Sequence, residues 1–236
     1  MSKRLQYLGI VLAVIGLGFM FGGGYAYLQV QDGYESLQAF SEAENVTLSY
    51  NEDGELVDRG TTEGAAAIML LLTAPADEGG WAYPVIEQDL DPNDPLVNTA
   101  TEYMYQMATI GYHVLHGTQT VVLTEDVEYN GVVYEAGAYE VPVDGKYWSD
   151  FDRQHPLEGP ARGQAWSGTA HALFGTLGVG TVTASTLQLA QAVAFILIGL
   201  GITVMVMGGG LIWIGRGKEE IVSVAIEDRA PEPAGV

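Results

Sequence analysis

The sequence predicts a membrane protein in which two transmembrane α-helices flank an extracytoplasmic α+β domain with antiparallel hairpins. Three observations predict it. Leu187–Ile214, LQLAQAVAFILIGLGITVMVMGGGLIWI, is 28 residues long without a charge, and at ~1.5 Å per residue it exceeds a hydrocarbon core of about 30 Å. Leu5–Tyr27 is a second apolar run, of 23 residues. Between them the composition inverts: from Leu28 to Thr186 the chain holds 25 Asp and Glu against four basic residues, Arg59, Lys146, Arg153 and Arg162.

In lipid, only a helix satisfies its own backbone hydrogen bonds along one segment, so both apolar runs read as spanning helices. The first follows a short basic start, Lys3 and Arg4, as a signal peptide also would. Its length and the lack of a clean small-x-small cleavage site favour an uncleaved helix. Lys3 and Arg4 before the first run, and Arg216 and Lys218 after the second, place both termini in the cytoplasm by the positive-inside rule. The expected organisation is therefore a cytoplasmic start at 1–4, helices at 5–27 and 187–214, an extracytoplasmic domain at 28–186 and a cytoplasmic tail at 215–236. Gly18 and Gly22 form a GxxxG, and Gly199 and Thr203 repeat that small-residue spacing in the second run. Such residues let backbones approach where no hydrophobic effect drives association, so they are the expected helix-packing contacts, within one chain or with another.

The domain is taken in order. Asp32–Glu44 has Tyr34, Leu37 and Phe40 on one side of an amphipathic helix. Val46–Asp58 reads as a hairpin turning at Asn51-Glu-Asp-Gly54. Asn45-Val-Thr47 matches a glycosylation sequon. Glu63–Ala76 is apolar but too short to span, and reads as a buried or interfacial helix. A further helix begins near Pro95 with a capping box at Thr99–Glu102, and stops at Gly117. Strands follow over 118–124 and 127–143, with Asn130-Gly131 supplying a type I′ turn. Tyr147–Pro160 is an aromatic, charged loop. Gly163–Gly180 is too polar and Gly-rich for a third span, and reads as a domain helix feeding the second membrane helix.

The chain has no cysteine, which excludes disulfides, thiolate metal sites and cysteine nucleophiles. A net charge of −21 repels nucleic acid and anionic lipid, and favours cations, high salt or a basic partner. Walker, GxGxxG, nucleophile-elbow and HExxH patterns are all missing. Glu102, Gln106, Thr109, His113 and His116 recur at spacings of four, three, four and three on one helix face. With His171 or His155 completing the shell, His113, His116 and Glu102 are candidate ligands for a divalent metal, the one cofactor the sequence suggests. Asp89–Asp94 starts like a calcium loop but departs from the EF-hand pattern at Asp94 and Ala100, and reads as an acidic turn. In the cluster Asp150, Asp152, Arg153 and His155, Arg153 is expected to pair with a neighbouring carboxylate.

The passage ASTLQLAQAVAFILIGLGITVMVMG, fed by ARGQAWSGTAHALFG, in a frame of basic start, membrane helix, domain and membrane helix, resembles a group of actinobacterial two-pass membrane proteins of unknown function. Some members are described as aromatic ring-opening dioxygenases, which would imply iron held by His and Glu in a soluble barrel. No motif of that kind stands in this sequence.

Three functions follow as expectations. The first is a non-enzymatic accessory or interaction subunit, with the bilayer, other membrane subunits or a second copy as partners and no nucleic acid. The second is a metal site on the histidines above. The third is a small-ligand binder with a pocket lined by Tyr103, Tyr112, Trp148 and Trp166.

Overall fold

Helix α1 runs unbroken from Ser2 to Glu44, joining the first apolar run to the amphipathic segment that the sequence separates. The structure, a computed structural model, describes the backbone of residues 2–227 and the side chains of residues 3–216. The end of the expected tail, 228–236, lies outside the described residues. After α1 come α2 (Thr62–Thr73), α3 (Ala100–Leu115), β1 (Thr118–Leu123), β2 (Val127–Tyr129), β3 (Val132–Tyr134), β4 (Gly137–Pro142), α4 (Glu158–Ala165) and α5 (Gly168–Glu227). The chain divides into two units, one holding residues up to Glu35 and from Thr186 onward, the other Ser36–Ser185. Two helices, over Lys3–Glu44 and Gly168–Arg216, are long and apolar enough to cross a membrane.

In the first unit α1 and α5 pack antiparallel along a seven-residue repeat. Gly9 faces Gly208, Gly16 faces Gly201 and Gly23 faces Ala194. A Cβ on Gly9 would stand 2.5 Å from the Gly208 carbonyl oxygen, and one on Gly16 2.6 Å from that of Gly201. Only glycine permits so close an approach, and a strict period of seven keeps one face of each helix turned to the other, as in a left-handed supercoil. Gly18, Gly22, Gly199 and Thr203 are not in this seam. The three glycines have nothing within 4 Å of a built Cβ, and Thr203 is exposed, its hydroxyl donating to the Gly199 carbonyl at 2.9 Å. The reason is angular. At 3.6 residues per turn, Gly18, Gly199 and Thr203, two positions from Gly16 or Gly201, point about 200° away from the contact, and Gly22, one position before Gly23, about 100° away. The large apolar side chains face outward: Phe21 is 76% exposed and Ile196 67%.

The second unit is built on α3. Thr99 caps it, with both halves of the capping box formed, so the helix starts at Ala100 and not at Pro95. Pro95 lies before the cap, where its carbonyl accepts a hydrogen bond from Leu48 N. Against α3 pack Ile68 and Leu72 of α2, both fully buried. Tyr103 closes the other side: its hydroxyl pairs with Ser41 at 2.8 Å, and its ring lies so close to Gly180 that no side chain fits there. A second cluster joins Val114 and Leu115 to Val121, Val141, Val143, Phe151, Trp166 and Ala170. β1 pairs antiparallel with β4, and β2 with β3 through Asn130 (φ 51°) and Gly131 (φ 80°), the left-handed pair a type I′ turn requires. The expected hairpin over 46–58 reduces to isolated bridges such as Tyr50 with Leu56. The Asn51 side chain, accepting from Asp53 N and Glu55 N, stabilises the turn itself.

Candidate functional site

The residues proposed as metal ligands do not converge. Glu102 sits in the first turn of α3 and His113 in the last, about 16 Å apart along the axis. The Glu102 carboxylate is buried and accepts hydrogen bonds from Asn98 N, Thr99 N and the Thr99 hydroxyl. Burial nevertheless raises its pKa above the ordinary carboxylate range, outweighing the hydrogen bonds that favour the anion. His113 Nε2 pairs with Asp58 at 3.0 Å. His116 Nδ1 bonds the Tyr112 carbonyl at 2.8 Å. His171 Nδ1 bonds the Ser167 carbonyl at 3.1 Å, its ring packed edge-on against Trp148 at 4.7 Å. Among the described residues, no group of three or more His, Asp or Glu side chains is arranged to hold a metal ion.

The loop around Asp150 is held differently from the expected arginine pairing. Lys146, not Arg153, makes its ion pair, with Glu158 at 2.8 Å, and this hydrogen bond lowers the Glu158 pKa. Asp152 accepts from the Tyr129 hydroxyl at 2.6 Å, and His155 bonds Tyr134 at 3.0 Å. Arg162 instead stacks over Trp148, 3.7 Å from the ring centre. The acidic turn accounts for Asp91, whose carboxylate accepts from Asn93 N at 2.9 Å and from the Asn93 side chain at 2.8 Å.

Of the four aromatics expected to line a pocket, Tyr103 and Trp166 are core residues, 3% and 7% exposed. Tyr112 does line a cleft, of about 430 Å³, between α2, the 75–80 turn, the end of α3 and the segment after β4. Its apolar wall is Ala67, Leu70, Leu71, Ala74 and Leu115, and its polar groups are Glu78, Tyr112, His116 and Tyr147. The walls are fixed by backbone hydrogen bonds. After α2 the chain doubles back, so that Trp81 N, Tyr83 N and Ala82 N donate to the carbonyls of Leu71, Leu72 and Ala74. These are the carbonyls a helix end leaves without an intrahelical partner. Gly80 allows the reversal, because a Cβ there would overlap Ala74. On the other wall Gly145 N donates to the Leu115 carbonyl. Trp81 Nε1 donates to the Tyr147 hydroxyl at 2.9 Å, tying the two walls together. Tyr147 falls in the aromatic, charged loop of the sequence, and Glu78, Gly80 and Gly145 fall outside the elements it predicts, so no local signal marks these four as neighbours.

Compared with known proteins, the chain matches no family, no curated protein and no solved structure.

Proposed function

We propose that the chain is a two-pass membrane protein with both termini cytoplasmic, whose acidic extracytoplasmic domain serves, without catalysis of its own, as an accessory or interaction subunit of a membrane complex. The observation that carries this reading is the pairing of α1 with α5. Their contact face is glycine, and their bulky apolar side chains point outward. An outward face of that composition is stable against lipid tails and unstable against water. The uncharged run from Leu5 to Gln31 is about 40 Å long, ample for a hydrocarbon core of about 30 Å. The basic residues Lys3, Arg4 and Arg216 flank these runs and Asp32 ends the first, which favours cytoplasmic ends. An acidic domain spread over many exposed carboxylates favours partners that present basic surfaces.

Two experiments test it. The chain has no cysteine, so single thiols report topology without background. In intact cells Glu125→Cys should react with a membrane-impermeant maleimide, while Ser2→Cys and Val236→Cys should react only after lysis. Reversed labelling would overturn the orientation. For the subunit role, purification in mild detergent should yield a second chain at constant stoichiometry through two unlike columns. Elution of this chain alone would overturn that role.

A further inference from the structure

The cleft beside α2 lies wholly within Ser36–Ser185, and its chemistry is independent of what covers the α1–α5 pair. Its size falls in the range of small-molecule sites, and its walls are tied in place, so little ordering is needed on binding. The polar groups decide what it can take. The backbone N–H groups of Gly79, Gly80 and Gly145, which would otherwise serve an anion, are spent on the carbonyls of Ala76, Pro75 and Leu115. No Lys or Arg lines it. His116 Nδ1 lies against a carbonyl, which can only accept, so Nδ1 carries the proton and Nε2 of the neutral ring is an acceptor. Glu78 is the only formal charge in the lining. Tyr112 and Tyr147 add ring faces and hydroxyls that can accept as well as donate. The field of a chain with net charge −21 acts in the same direction.

From this one-sided chemistry we propose that the cleft binds a small organic cation: an apolar, drug-sized body lying on Leu70, Leu71 and Leu115, with a primary ammonium directed to Glu78 and His116. An anion would meet the Glu78 carboxylate and the His116 Nε2 acceptor, with only the two tyrosine hydroxyls able to donate to it. A neutral body would gain the apolar wall but lose the charge-assisted hydrogen bonds, which are about twice as strong as neutral ones.

The test titrates the full chain in lipid nanodiscs by calorimetry, with empty nanodiscs subtracted. Three ligands share one body: 4-phenylbutylammonium, 4-phenylbutanol and 4-phenylbutyrate. The ammonium should bind saturably, the alcohol about tenfold more weakly, and the carboxylate not at all. Glu78→Gln should weaken the ammonium about tenfold and leave the alcohol unchanged. Leu70→Arg should abolish ammonium binding by placing a cation at the mouth. Glu78 is exposed and Leu70 is 65% exposed, so both variants should melt like the parent. Absence of saturable ammonium binding at millimolar concentration would overturn the proposal. So would an alcohol that binds as tightly as the ammonium, or ammonium binding unchanged in both variants.

Discussion

Alanine at Gly16 and alanine at Gly18 are the same chemical change two residues apart on α1, and they should act in opposite directions. A Cβ on Gly16 would stand 2.6 Å from the Gly201 carbonyl oxygen and 2.7 Å from Met205 N. Relaxed carbon–oxygen contacts begin near about 3.3 Å, so the helices must part by roughly 0.7 Å at that level. A gap of that size forfeits about a quarter to a half of each dispersion contact, and the loss extends to the flanking pairs Gly9–Gly208 and Gly23–Ala194. Overpacking of this kind costs about 1–3 kcal/mol. Against it stands a helix-propensity gain of up to about 1 kcal/mol from replacing glycine. Gly16→Ala should therefore destabilise by about 1–2 kcal/mol, lowering the melting temperature by about 2–8 °C. A Cβ on Gly18 meets nothing within 4 Å, so Gly18→Ala keeps the propensity gain alone and should melt at or above the parent. The assay is thermal unfolding in detergent followed by tryptophan fluorescence. Because Gly16 and Gly201 share one contact, Gly201→Ala should cost much the same as Gly16→Ala, and the double variant less than the sum. If Gly16→Ala melted no lower than the parent, or Gly18→Ala fell as far, the seam would be misplaced.

Four further predictions concern the domain. Glu102→Ala removes the acceptor for two backbone N–H groups at the start of α3 and should cost about 1–3 kcal/mol in chemical denaturation, whereas Glu102→Gln retains the capping box and should cost less. Because the folded Glu102 pKa is raised, the folded state holds its proton at higher pH than the unfolded chain does. Its contribution to stability is therefore fully present below the unfolded value of 4.5 and is lost as pH rises through the raised folded value, a slope that Glu102→Gln should remove in pH-dependent unfolding. Glu158 has the opposite sign: its pKa is lowered, so its contribution is present above 4.5 and is lost as pH falls through the depressed value, and Lys146→Met should flatten that loss. Leu72→Ala, at a fully buried position between α2 and α3, should cost about 2–5 kcal/mol by thermal or urea unfolding.

What the sequence determined by itself was local or compositional. The Thr99–Glu102 box starts α3 because its hydrogen bonds close within four residues. Asn130-Gly131 turns β2 into β3 because positive φ is a property of those residues. Two uncharged runs long enough to cross a membrane are countable. The seven-residue repeat of glycine was legible too, but the GxxxG at Gly18 and Gly22 is the more familiar spacing, and the phase of a helix depends on where its partner lies. Only the tertiary structure set that phase, turning Gly9, Gly16 and Gly23 inward and Gly18 and Gly22 outward. It also separated Glu102 from His113 and His116: shared phase puts residues in line along a face, yet the rise of the helix holds the two ends far apart. The cleft was beyond reach of the sequence for the same reason. Its walls meet through hydrogen bonds between distant segments, Trp81 to Tyr147 and Gly145 to Leu115, and such pairings are chosen by packing and not by any residue's own preference.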